Sequence, residues 1–249
     1  FTTGTCCMPY LVDACQERSG TVSEFIALDK DVLHKSYINF LRQGMRGWFE
    51  AMTDKPIVFS KSRSWSEFLP HTFAIDPNSK YLVILRDLRD IICSFDSLVW
   101  KYPEIKFSFD DIPIHFQSFE KRIEMYCTDN QSLLGRPLQF LPHVMEVAHK
   151  NPNNFLTLRY EDFNENPSEA LQVIYKFLGE QNFEHDFDNI PKPDYYEHDT
   201  VYRSLVTHKT GTKLKKVEPR WPKVMTKEQS EGVIYNNRWY YELFYPEVL

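Results

Sequence analysis

The sequence predicts an α/β protein built on a parallel sheet. Two short apolar runs, Tyr81-Leu-Val-Ile-Leu85 and Phe155-Leu-Thr-Leu158, read as buried strands bounded by turn residues. Each passes into a polar stretch and then into helical periodicity, which is the signature of βαβ units. In such sheets ligands bind off the carboxyl ends of the strands, so the polar residues ending these runs are the functional candidates.

Taken in order, residues from Asp29 to Met52 are rich in helix formers, with Val32, Leu33, Tyr37, Phe40 and Leu41 near helical spacing, and predict a helix. Pro56 opens the short strand Ile57-Val58-Phe59. After Tyr81–Leu85 comes Arg86-Asp87-Leu88-Arg89-Asp90, and Ile91, Ile92, Phe95, Leu98 and Val99 then set one face of a helix. Further helices are expected at about 111–128 and 138–150, the second following Pro137 and ending before Asn151-Pro-Asn-Asn154. Beyond Phe155–Leu158, Asn166 is a suitable N-cap, Pro167 suits the first helical position, and Gly179 suits the residue after the helix end. From Asp186 to Trp221 no period is visible, and a last helix is expected between about Lys227 and Phe244. Val58-Phe59, Leu82–Ile84 and Leu156–Leu158 are expected to be neighbouring parallel strands with helices on both faces.

Composition narrows the function classes. The 249 residues carry 29 Lys+Arg against 35 Asp+Glu, a net charge of −6, with 42% hydrophobic residues, and one domain over 1–249 is the simplest organisation. That charge argues against wrapping nucleic acid or lying on an anionic membrane, and no apolar stretch is long enough to span one. Cys6, Cys7, Cys15, Cys93 and Cys127 form neither a Cys-x-x-Cys pair nor a zinc-finger spacing, so the expectation is free thiols, a cytoplasmic location and no structural zinc. The 14 Tyr, 19 Phe and 5 Trp are enough to line a pocket with rings.

Arg86 ends a strand and Ser94 follows two helical turns later. A guanidinium grips a phosphate through two bonds and a hydroxyl adds a third, although Arg86, Asp87, Arg89 and Asp90 also suit a solvated helix start with local ion pairs. The segment closely resembles the 3′-phosphate-binding element of sulfotransferases that use 3′-phosphoadenosine 5′-phosphosulfate, in which a Ser stands eight residues after the Arg. A second stretch, Phe155-Leu-Thr-Leu-Arg-Tyr-Glu-Asp-Phe163 through Gly179, is similar to that family's strand, turn and helix, with Tyr160 as the tyrosine of the nucleotide site. A third, Lys55-Pro-Ile-Val-Phe-Ser-Lys-Ser-Arg-Ser-Trp65, resembles the strand that ends in a catalytic Lys or His.

The resemblance implies a three-layer fold like that of P-loop NTPases, with a central parallel sheet flanked by helices. It also implies transfer of a sulfuryl group from 3′-phosphoadenosine 5′-phosphosulfate, without a metal, to a hydroxyl or amine of a small-molecule, carbohydrate or peptide acceptor. Arg86 and Ser94 would select the 3′-phosphate and Tyr160 would line the nucleotide site. Lys61 would stabilise the transferring group by the electrostatics familiar from phosphoryl transfer, with Arg63 as an alternative carrier. The general base is open among Asp96, His71, Asp13 and Glu24. The basic run Thr207–Lys216 stands where the family has a loop over the 3′-phosphate, and Lys209 and Thr210 are the candidates within it. The family's Pro-x-Ser-Gly-Thr loop for the 5′-phosphosulfate has no good counterpart, since Arg18-Ser-Gly-Thr21 lacks the preceding strand. The opening Phe1-Thr-Thr-Gly-Thr5 resembles the segment after the family's first helix, so the loop is expected upstream. Two other readings stand beside this one: a non-catalytic nucleotide-binding module, and a nucleotide kinase, which the absence of Gly-x-x-x-x-Gly-Lys-Ser/Thr weakens.

Overall fold

The computed structural model describes residues 2–3, 29–101, 108–109, 112–113, 116–129, 132, 134–191 and 211–249. They fall into two units, Phe1–Ser79 with Pro137–Asn154, and Lys80–Arg136 with Phe155–Leu249.

In the first unit, strand β1 (Thr2–Thr3) pairs in parallel with β2 (Phe59–Ser60). Between them runs helix α1 (Lys30–Met52), which starts where Asp29 accepts the backbone N–H groups of Asp31 and Val32. Leu41 on α1 packs with Ile75 of the short helix α2 (Leu69–Ile75), and Tyr37 and Met45 close around them. Arg42 ties the same two helices by donating from Nε to the Ile75 carbonyl at 2.7 Å, which caps an otherwise open helix end.

The second unit opens with β3 (Tyr81–Leu85), whose boundaries are those expected from the apolar run. Helix α3 (Leu88–Lys101) follows after two residues and buries Leu88, Ile92 and Val99 at helical spacing. Burying one such side chain stabilises by roughly 1.5–3 kcal/mol. The region expected to be helical from 111 instead contains a two-residue antiparallel pair, β4 (Ser108–Phe109) with β5 (Ile112–Pro113). Helix α4 (Phe119–Thr128) begins only where Ser118 caps it by accepting the Lys121 N–H. Helix α5 (Gly135–Lys150) starts before Pro137 and belongs to the first unit from that residue onward.

Strand β6 (Phe155–Arg159) pairs in parallel with β3 over five positions, Tyr81 opposite Phe155 through Leu85 opposite Arg159. The Tyr81 and Phe155 rings stack at 4.8 Å, a cross-strand contact that sets the register. The expected neighbouring of Leu82–Ile84 and Leu156–Leu158 is therefore present, whereas Phe59–Ser60 finds its partner in Thr2–Thr3. The turn expected after β6 is a short helix, α6 (Tyr160–Glu165). Helix α7 (Pro167–Leu178) begins at Asn166 and ends at Gly179, whose φ of 80° is left-handed and accommodated without a Cβ.

The C-terminal region forms α8 (Trp221–Val224), α9 (Lys227–Asn236) and α10 (Arg238–Phe244). One helix was expected across 227–244. Asn237 divides it, because its side-chain amide donates to the Val233 carbonyl while its backbone leaves helical geometry.

Candidate functional site

Two candidates of the second unit, Arg86 and Tyr160, meet at the carboxyl ends of β3 and β6, which the parallel register sets side by side. Arg86 is the first residue past β3. Its Nη2 donates to Asp90 Oδ2 at 3.0 Å, and its guanidinium lies 4.5 Å from the centre of the Tyr160 ring. Tyr160 is the first residue past β6, so the two strand ends bring cation and ring together. Arg86 Nε is buried and has no hydrogen-bond partner among the described residues. A donor in that position is costly unless a ligand or water meets it. Ser94 lies one helical turn beyond Asp90, on the same face of α3, and is half-buried.

The charged run after β3 is not a solvated helix start. Asp87, Arg89 and Asp90 are buried, and each charge is compensated. Arg89 pairs with both oxygens of Asp87, donates to Ser230 Oγ at 3.2 Å and stacks 3.9 Å from the Trp221 ring. Tyr241 donates to Asp87 Oδ1, Tyr240 to the Arg86 carbonyl, and Tyr245 to Glu161, which in turn accepts the Asp87 N–H. Burial raises the hydroxyl pKa of all three tyrosines, so they are neutral donors. Asp87 and Arg89 therefore lock the strand end to α9 and α10, leaving Arg86 and Asp90 on the Tyr160 side.

Asp96, one candidate base, is held structurally. Arg122 donates to both its oxygens at 2.6 and 3.1 Å, and Trp100 Nε1 donates at 3.2 Å. A carboxylate so engaged has its acceptor capacity committed. Asp13, Glu24, Lys209 and Thr210 lie outside the described residues, as does the side chain of His71. Within the basic run, Lys213 pairs with Asp188 and Lys216 with Glu165, while Lys215 is exposed with no ion pair among the described residues.

In the first unit, Lys61 directly follows β2 and is exposed. The adjoining turn is fixed by Trp65, whose Nε1 donates to Ser60 Oγ at 2.9 Å, and Arg63 begins a single 3₁₀ turn. Two open surface recesses, of about 300 Å³ beside His34, Lys35 and Arg42 and about 530 Å³ along Glu169, Val173 and Lys176, include none of the candidates.

The sulfotransferase domain family matches residues 3–233, a span that runs through both units and all three motifs. The chain belongs to the sulfotransferase family. Its α/β fold is accordingly of the P-loop-like kind. A solved structure, the sulfotransferase domain from the curacin biosynthetic pathway, covers 88% of this sulfotransferase and 77% of its own chain with a TM-score of 0.53. The two sequences are 13% identical, so the likeness is one of fold. No curated protein matches this sulfotransferase sequence.

Asp90 and Glu161 were not singled out from the sequence. The spacing of four between Arg86 and Asp90 is a local signal for an ion pair. The bond from Asp87 to Glu161 joins residues 74 apart and leaves no local trace.

Proposed function

We propose that this sulfotransferase takes its sulfuryl group from 3′-phosphoadenosine 5′-phosphosulfate and passes it to a hydroxyl or amine of a small-molecule, carbohydrate or peptide acceptor. Arg86 and Ser94 hold the 3′-phosphate, Tyr160 borders the nucleotide, and Lys61 neutralises oxygens that gain charge as the S–O bond breaks. The observation that carries the reading is Arg86, whose guanidinium is oriented by Asp90 and Tyr160 while its buried Nε lacks a partner among the described residues. Such a donor suits a phosphate oxygen, and the neighbouring hydroxyl of Ser94 supplies a bond of the same kind.

The test is calorimetric titration with 3′-phosphoadenosine 5′-phosphate and with adenosine 5′-phosphate. Charge-assisted bonds of about 1.5–3 kcal/mol predict a preference of roughly 10- to 100-fold for the nucleotide bearing the 3′-phosphate. Arg86→Ala should erase that preference. Equal affinities in the wild-type protein would sink the proposal. A clear preference without sulfuryl transfer to any acceptor would instead favour a binding module.

A further inference from the structure

Asp90 stands between two elements far apart in sequence. Its Oδ2 accepts Arg86 Nη2 at 3.0 Å, and its Oδ1 accepts the backbone N–H groups of Arg220 at 2.8 Å and Trp221 at 3.2 Å. The carboxylate is only 5% exposed, so these donors replace its water. The segment it receives, residues 211–220, has neither helix nor strand. That segment is held by bonds from Ile190 to the Thr212 carbonyl and from Leu214 to the Phe187 carbonyl, each 2.8 Å, and by a reciprocal pair between Asn164 and Val217. Asp90 fastens the end of it that enters α8.

Arg86 needs such a partner. A free arginine side chain samples many rotamers, and fixing it on binding costs up to roughly tenfold in affinity. With Tyr160 against its face and Asp90 on Nη2, the guanidinium is set before any ligand arrives.

We propose that Asp90 is a positioning residue for 3′-phosphate recognition, acting through Arg86, and that the same carboxylate makes this orientation depend on docking of the 211–221 segment. The inference rests on the function proposed above. It assigns Asp90 no contact with the nucleotide.

Asp90→Asn separates the two halves of the role. The amide oxygen still accepts the Arg220 and Trp221 N–H groups, but the amide nitrogen meets Arg86 Nη2 donor to donor. The expected result is an affinity for 3′-phosphoadenosine 5′-phosphate lowered about tenfold, with binding of adenosine 5′-phosphate unchanged. In an Arg86→Ala background the same change should have no further effect, which a merely structural role would not produce. Hydrogen exchange at the Arg220 and Trp221 amides should stay slow in Asp90→Asn and accelerate in Asp90→Ala. Asp90→Glu, which keeps the charge but displaces it by a methylene, should also lose the preference and serves if the asparagine variant folds poorly. An unchanged preference in these variants, an equal loss for both nucleotides, or a loss that persists without Arg86 overturns the inference. If the wild-type protein shows no preference for the 3′-phosphate, the proposed function fails, and the positioning role with it. If the wild type prefers it and Asp90→Asn does too, only the role of Asp90 fails.

Discussion

Replacing Asp96 by Ala should unfold the second unit far more readily without bearing on proton transfer. Asp96 is 7% exposed and Arg122 5%, so the mutation leaves a buried guanidinium whose described contacts are the Gln117 carbonyl at 2.6 Å and the rings of Trp100 and Phe119, each 5.3 Å away. Removing one member of a buried pair costs about 3–5 kcal/mol, most of it the uncompensated charge. Losing the Trp100 bond and the long Tyr126 bond adds to this, though contributions in one network do not sum. Urea unfolding followed by circular dichroism should show the midpoint falling with little change in slope. The double variant Asp96→Leu with Arg122→Met, which removes both charges while filling the space, should be less destabilised than either Asp96→Ala or Arg122→Ala. Asp96→Asn, once folded, should retain turnover within about tenfold, since loss of a general base would cost roughly 10²–10⁴. The reasoning is refuted if Asp96→Ala costs under about 1 kcal/mol while turnover collapses, for then Asp96 is a base and not a buried strut.

Lys61→Ala should lower turnover by roughly 10²–10³, the loss typical of removing one transition-state donor, and leave product-nucleotide binding nearly unchanged. Equal losses in binding and turnover would make Lys61 a binding residue instead. Two thiols, Cys93 buried and Cys127 half-buried, predict a pH dependence: desolvation pushes Cys93 up to about 12 and Cys127 up to about 11, with the Asp90 and Asp96 carboxylates adding to the effect at Cys93. An unfolded thiol titrates near 8.5, so above that pH the unfolded chain releases protons that the folded chain retains. The contribution is whole below about pH 8.5 and lost as pH rises toward about 11 for Cys127 and about 12 for Cys93, at up to about 1.4 kcal/mol per unit for each thiol. Urea midpoints at pH 8, 9 and 10 should fall, and Cys127→Ala should make the fall shallower; a slope that Cys127→Ala leaves unaltered contradicts the buried-thiol account.

Much of this protein was determined by its sequence alone. The run Tyr81–Leu85 is a strand because a continuous apolar stretch of five bounded by turns has few other uses. Asn166, Pro167 and Gly179 mark helix ends because each answers a backbone need within a few residues. Arg86 at a strand end and Ser94 eight residues later stand in the sequence itself, so the two candidate phosphate donors were legible before any coordinates. The three motifs in their order pointed to the family that matches residues 3–233. Tertiary structure alone decided how the charges were spent. Asp87 and Arg89 turn inward because Tyr241, Ser230 and Trp221, some 130–155 positions away, compensate them. Asp96 is paired with Arg122 on another helix, and Asp90 is recruited by two backbone N–H groups 130 and 131 residues on. Local periodicity records only what neighbours within a turn or two require, whereas a buried charge is settled by whichever distant donor the packed chain delivers to it.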